Sequence, residues 1–170
     1  MRSRAELLAV VGFVLLLDQA TKILVGLTLS PGEFVPVVPG LVHLTLVRNT
    51  GMAFGLLSAA TIPYKPVLVT LLSVLALSAV VVYAFNAPAS ERFSQFGLAL
   101  ILGGALGNIV DRVRLGYVVD FIDVFFRSSH WPAFNVADAS ICVGVGFLLL
   151  DTLRRREQGK AAGTAGAVHR

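Results

Sequence analysis

The chain has 170 residues, 56% of them hydrophobic and only 14% charged, with a mean hydropathy of +0.81. A soluble domain of this size needs more charge to cover its surface, so the composition excludes one and points to a single membrane-embedded unit. The formal net charge of +4 is concentrated at the ends, in Arg2, Arg4, Arg154, Arg155, Arg156, Lys160 and Arg170, a pattern of anchored termini that argues against a nucleic-acid surface.

Arg2 and Arg4 precede an apolar run, Leu7 to Leu17, that is interrupted by Asp18 and Lys22. No A-x-A pattern follows, so the run is expected to be a retained first span over about residues 5–26 and not a cleaved leader. Residues 34–47 are rich in β-branched side chains and punctuated by Pro36, Pro39 and Gly40, which reads as a small irregular hairpin at or beyond the membrane surface. A second span is expected over about 66–85, a short polar turn over 86–95, and a third span over about 96–115. The connection 116–135 carries Phe121, Phe125, Phe126, Trp131 and Phe134, a density of aromatics suited to the headgroup region. A fourth span covers about 136–153, and the Gly/Ala-rich stretch 159–170 reads as a disordered tail.

Spans of roughly 18 to 22 residues give helices long enough for a hydrocarbon core about 30 Å thick. The fold class expected is therefore an all-α membrane protein: four transmembrane helices with a small extracytoplasmic β-hairpin or sheet element, one domain over 1–158. An even number of spans puts both termini on one side, and the arginines place that side in the cytoplasm. Cys142 is the only cysteine and reads as a small buried or lipid-facing hydrophobe.

The polar residues inside the spans fall at a common depth. Asp18 lies about 13 residues into the first helix, about 20 Å at helical rise, with Lys22 one turn further on the same face. Gly104, Asn108, Asp111 and Arg112 share one face of the third helix at a similar depth. Asn135 and Asp138 open the fourth helix. Ionisable groups in lipid are costly and should face one another or a wet cavity, so a site toward the outer leaflet is expected.

Each group also has a plainer reading. Asp18 and Lys22 fit a helical ion pair with Lys22 snorkelling to the interface. Asn135 and Asp138 fit an N-cap and an acidic N3 residue. Asp111 and Arg112 fit interfacial charges, Asp123 a surface group, and Gly103 with Gly107 a close helix contact. Asp120 is different: framed by apolar residues with no basic neighbour within four positions, it should have a raised pKa and is a site candidate.

Four blocks carry a family resemblance: Asp18-Gln19-Ala20-Thr21-Lys22; Asn49-Thr50-Gly51-Met52-Ala53-Phe54; Gly103 to Arg112 followed by Gly116 and Val118-Val119-Asp120-Phe121; and Phe134-Asn135-Val136-Ala137-Asp138. In this order they resemble the bacterial lipoprotein signal peptidase (signal peptidase II) family; Met52 stands where a small residue is common. The resemblance implies a bacterial cytoplasmic-membrane aspartyl peptidase that cleaves prolipoproteins just before a diacylglyceryl-modified cysteine. It maps the catalytic aspartates onto Asp120 and Asp138. It gives site-lining or supporting roles to Asn49, Asn108, Arg112 and Asn135, and to Asp18 and Lys22 on the first helix. Asp111 belongs to the same block. The resemblance implies a lipid-modified prolipoprotein substrate and a globomycin-type inhibitor; the other partners expected are membrane lipids, with no nucleic acid and a monomeric chain.

Two close carboxylates sharing a proton can activate water, polarise a carbonyl and protonate an amine, so no metal or cofactor is expected. His43, His130 and His169 are scattered along the chain and no H-E-x-x-H occurs. The rival reading is a small proton- or ion-coupled transporter, but the chain shows no repeated half, and its polar groups stop in one half of the membrane.

Overall fold

The computed structural model describes residues 4–51, 63–88 and 91–167. In chain order the elements are α1 (Arg4–Thr28), β1 (Phe34–Val38), β2 (Val42–Asn49), α2 (Lys65–Asn86), α3 (Arg92–Leu115), β3 (Val118–Phe126), β4 (Ser129–His130) and α4 (Val136–Ala167). Each helix contains a stretch long and apolar enough to cross a membrane, with α2 the most apolar at a mean hydropathy of 2.6. Backbone polar groups in lipid must be satisfied within the segment, which is why these runs are helical.

α3 is the hub. It is 61% buried over its spanning window, against 28% for α1, 11% for α4 and 6% for α2. The reason is compositional: its glycines let neighbours approach, while Leu16, Leu27, Leu71, Leu75 and Leu149 on the other helices face outward. Lipid tails are as apolar as leucine, so such outward faces carry no penalty in a membrane, and close packing sets the helix contacts. A β-carbon on Gly103 would lie 2.7 Å from Val14 Cβ of α1, in agreement with a packing role. A pair not singled out from the sequence, Gly97 and Gly144, brings α3 and α4 together at the end of the bundle remote from the sheet. There a β-carbon on Gly144 would sit 2.5 Å from the Gly97 carbonyl oxygen. Gly144→Ala should therefore destabilise the protein by about 1–3 kcal/mol, because backbone must move to admit the methyl. Gly146→Ala meets open space and should raise stability by up to about 1 kcal/mol through helix propensity. Thermal unfolding in detergent checks both.

The two connections at the opposite end pair into one antiparallel sheet of order β1-β2-β3-β4. The expected hairpin is present as β1 and β2, turning through Gly40 at φ +76°. The connection 116–135, expected as an aromatic surface segment, instead supplies the nine-residue strand β3. Its run Val118-Val119-Asp120-Phe121-Ile122 is β-branched and aromatic, but a strand exists only once β2 supplies its hydrogen-bond partner. Gly116, left-handed at φ +78°, ends α3 by donating its N–H to the Arg112 carbonyl at 3.0 Å. The chain thus turns directly from α3 into β3, which sets Asp120 beside the helix bundle.

Helix bounds lie within four residues of the expected spans, except at the C-terminus. There α4 continues to Ala167, through residues 159–167 that the sequence reading assigned to a disordered tail. Alanines at 161, 162, 165 and 167, with no proline, permit helix there, against the cost of Gly159, Gly163 and Gly166.

Candidate active site

The polar residues of α1 and α3 meet in a buried charge cluster. Lys22 is 4% exposed, so it does not snorkel. Its ammonium donates to Asp18 Oδ2, Asp111 Oδ2 and Asn108 Oδ1, each at 2.9 Å, which uses all three of its N–H groups. Asp111 is buried too, not interfacial. Its Oδ2 also accepts the Val119 N–H at 3.1 Å and so holds the start of β3. Asp18 Oδ1 accepts the Ala137 N–H at 2.9 Å, so a carboxylate of α1 satisfies an open donor in the first turn of α4. Gly107 makes room for that carboxylate: a β-carbon there would collide with Asp18 Oδ2, so this glycine serves the cluster as well as helix packing.

Three asparagines connect this cluster to the two remaining aspartates. Asn108 accepts from Lys22 through Oδ1 and donates through Nδ2 to Asp138 Oδ1 at 2.8 Å. Asn135 Nδ2 donates to Asp120 Oδ1 at 2.7 Å and to Asn108 Oδ1 at 3.1 Å. Asn49 Nδ2 donates to Asp120 Oδ2 at 2.9 Å. The sheet register explains that last contact: Val47 lies opposite Asp120 and Asn49 opposite Val118, so Asn49 and Asp120 are diagonal neighbours on one face.

The capping reading of the fourth helix is also realised. Asn135 Oδ1 accepts the Asp138 N–H at 3.0 Å, and Asp138 Oδ2 accepts the Asn135 N–H at 3.3 Å, a reciprocal capping pair. Capping occupies Asp138 Oδ2 and leaves Oδ1 to the site, so the two roles coexist in one residue.

Arg112 sits at the edge of the network. Its guanidinium donates to the Asn108 carbonyl at 3.4 Å and to the Gly51 carbonyl at 3.2 Å, and so ties α3 to the end of β2. Asp120 is oriented by Asn49 and Asn135, not by Asn108 or Arg112. Met52, Ala53 and Phe54 of the second block lie outside the described residues. Every buried side-chain polar atom among the described residues has a hydrogen-bond partner. Gln19, not selected from the sequence as a site residue, contributes to this. Its Nε2 donates to Asp111 Oδ1 at 3.0 Å and to Asp18 Oδ2 at 3.2 Å. Its place in the first family block, directly after Asp18, was the available signal.

Asp120 is 1% exposed, whereas Asp138 is half-buried. Both line a cavity of about 290 Å³ together with Asn49 and the apolar residues Trp131, Phe134 and Cys142. Burial, and next the charge of Asp138, push the Asp120 carboxyl up to about 7, against the hydrogen bonds from Asn49 and Asn135 that favour its ionised form. The raised value expected from the apolar frame of Asp120 thus has its origin in tertiary burial.

One reading from the sequence is corrected beside this cavity and another is extended. His43 and His130 are not scattered: the strand register sets His43 opposite Asp123 and Phe125 opposite His130. His130 Nδ1 lies 2.9 Å from Asp123 Oδ1, so Asp123 is a paired group at the root of the segment that carries Trp131. His169 lies outside the described residues. Cys142 is exposed, as a lipid-facing residue would be, and also lines the cavity. A maleimide on this single thiol should block the cavity and lower any activity housed there by at least about tenfold, while Cys142→Ala keeps activity and resists the reagent. Labelled protein with undiminished activity would mean that the cavity is not the site.

Four helices long and apolar enough to cross a membrane, with two carboxylates lining one cavity, form the arrangement that a membrane-embedded aspartic peptidase requires. The sequence profile of the Signal peptidase (SPase) II family matches residues 10–154. The chain is 46% identical over 147 residues to a lipoprotein signal peptidase of Geobacter metallireducens, covering 86% of this chain and 90% of that protein. It is 45% identical over 150 residues to the lipoprotein signal peptidase of Geobacter sulfurreducens, covering 88% and 92%. Its fold superposes on a bacterial membrane enzyme solved by the in meso method at 2.3 Å, with a TM-score of 0.79, 32% identity and coverage of 91% and 92% of the two chains. The chain belongs to the signal peptidase II family. These likenesses give no support to a transporter.

Proposed function

We propose that Asp120 and Asp138 are the catalytic pair of an endopeptidase acting on prolipoproteins whose cysteine carries a diacylglyceryl group, with cleavage just before that cysteine. Removal of signal peptides from prolipoproteins is the activity of the family to which the chain belongs. The observation that carries the residue assignment is that these two carboxylates, from β3 and the first turn of α4, face one cavity.

The chemistry follows from their unequal surroundings. Asp120, the more buried of the two, with a carboxyl pushed up to about 7, holds the shared proton and donates to the scissile carbonyl. Asp138 sits at a helix N-terminus and accepts a backbone N–H, a setting that favours negative charge, so it acts as base on water. The proton taken from water then passes to the leaving amine. Asn49, Asn108 and Asn135 hold the two carboxylates; Arg112 ties α3 to the Gly51 carbonyl just after β2. Asp18, Lys22 and Asp111 join α1, α3, β3 and α4 beneath the pair.

Both termini are assigned to the cytoplasm and the sheet end, with the cavity, to the outer leaflet of the bacterial cytoplasmic membrane; the terminal arginines support this orientation. The diacylglyceryl chains then stay in the bilayer while the peptide enters the cavity. At about 0.8 kcal/mol per buried CH₂ the lipid dominates capture. A globomycin-type cyclic peptide would compete for the same cavity, and the enzyme is taken to work as a monomer among membrane lipids. Incubating purified protein with a lipobox peptide, with and without the diacylglyceryl group, tests the reading. Cleavage of the lipidated form alone is expected; equal rates would remove the lipid requirement, and no cleavage of either would remove the activity.

The titration of Asp120 has a worked sign. Its folded-state value lies above that of an unfolded aspartate, so its protonation stabilises the fold fully at low pH, and that stability is lost as pH rises through about 7. Cleavage should fall above pH 7 with a slope approaching about tenfold per pH unit, as the proton-donating form disappears. The unfolding temperature should decline over the same window in wild type and stay flatter in Asp120→Asn.

A further inference from the structure

α1 and α2 both pack on α3 but scarcely touch each other. The gap between them, at the end of the bundle remote from the sheet, is a cavity of about 520 Å³. Leu7 and Val11 form one wall, Leu77 and Val81 the other, and Leu102 and Leu106 of α3 the floor. Among the described residues its lining includes no carboxylate. The polar side chains there are Gln95, whose amide donates to the Ala87 carbonyl at 3.1 Å, and Arg4. The Arg4 guanidinium lies over the Phe85 ring, 5.6 Å from its centroid. A guanidinium held over a ring keeps its positive charge and its N–H donors, so an anion can still pair with it.

The dimensions are those of one membrane leaflet. From Gln95 to Leu106 the groove follows α3 for about 16 Å at helical rise, half of a hydrocarbon core about 30 Å thick. An apolar slot one leaflet deep, with a cation at its interfacial end, is complementary to one lipid: an acyl chain below and a phosphate above. Arg92 and Arg154 lie at the same end of the bundle and add positive charge, while the carboxylates Glu91 and Asp151 there are paired with Arg155.

We infer that this groove binds an anionic phospholipid, with its phosphate on Arg4 and one acyl chain between α1 and α2. The lipid completes the packing that the helices leave open and holds α1, the helix that carries Asp18 and Lys22, against α3. The inference rests on the membrane placement of the chain and not on the assignment of the catalytic pair.

The test uses the intact chain in a neutral detergent, with dioleoylphosphatidylglycerol or dioleoylphosphatidylcholine added at equal mole fraction. Native mass spectrometry reads retained lipid and thermal unfolding reads stabilisation. Wild type is expected to retain phosphatidylglycerol preferentially and to gain more stability from it. Arg4→Gln should weaken phosphatidylglycerol retention about tenfold, the effect of losing one charge-assisted contact, and should erase the preference. Ala84→Phe, which fills the groove from α2, should lower retention of both lipids. Equal retention of the two lipids by wild type would overturn the inference, as would unchanged phosphatidylglycerol retention in Arg4→Gln. A dimer in light scattering that Ala84→Phe dissociates would give the groove to a second copy of the chain and overturn it as well.

Discussion

Asp138→Asn is expected to insert and fold, losing about 1 kcal/mol of stability, and to lose cleavage by at least about 10³-fold. The modest stability cost follows from geometry. Asparagine keeps one carbonyl oxygen of the same shape, so it can satisfy either the Asn135 N–H or the Asn108 amide, but not both as Asp138 does. The large activity loss follows from chemistry, because an amide can neither accept the water proton nor pass it on. Asp120→Asn should behave alike, and the double variant should be little worse than either single one, since the pair acts as a unit. Asp123→Asn is the control: its carboxylate pairs with His130 outside the cavity lining, so substantial activity should remain. Single-turnover cleavage of a lipidated peptide, beside a thermal melt of each variant, separates the effects. Turnover near wild type in Asp138→Asn would reduce that residue to a helix cap.

The largest stability effect should come from Lys22→Met, at roughly 3–5 kcal/mol, the usual cost of breaking a buried ion cluster by removing one partner. Its ammonium is the cation shared by Asp18 and Asp111, and its loss leaves two buried carboxylates facing each other across the α1–α3 contact. The destabilisation should be partly reversed by adding Asp111→Asn. The one remaining carboxylate, Asp18, still receives the Ala137 N–H at the start of α4 and the Gln19 amide. Unfolding in detergent measures both variants. An unchanged melting temperature in Lys22→Met would show that the cluster does not hold α1 in place.

What was legible without coordinates was whatever depends on local composition. Hydropathy places the four spans, because each helix must satisfy its own backbone and face lipid with its own side chains. The same reasoning exposes Asp18, Lys22, Asn108 and Asp111 as groups needing partners, since a charge in lipid is costly whatever surrounds it. The β-branched run 34–47 likewise signals its own hairpin.

Only the tertiary structure decided who the partners are. That Asn108 holds Asp138 while Asn49 and Asn135 hold Asp120 depends on how α3, α4, β2 and β3 meet, and no residue's neighbours in the chain specify it. Strand β3 escaped the sequence reading because its hydrogen bonds go to a partner some 70 residues away. His43, Asp123 and His130 came together, and Cys142 reached the cavity wall, through the same long-range register. Asp138 shows the division within one side chain: its capping oxygen is fixed by residues three positions away, a local fact, and its other oxygen by a helix folded against it from elsewhere in the chain.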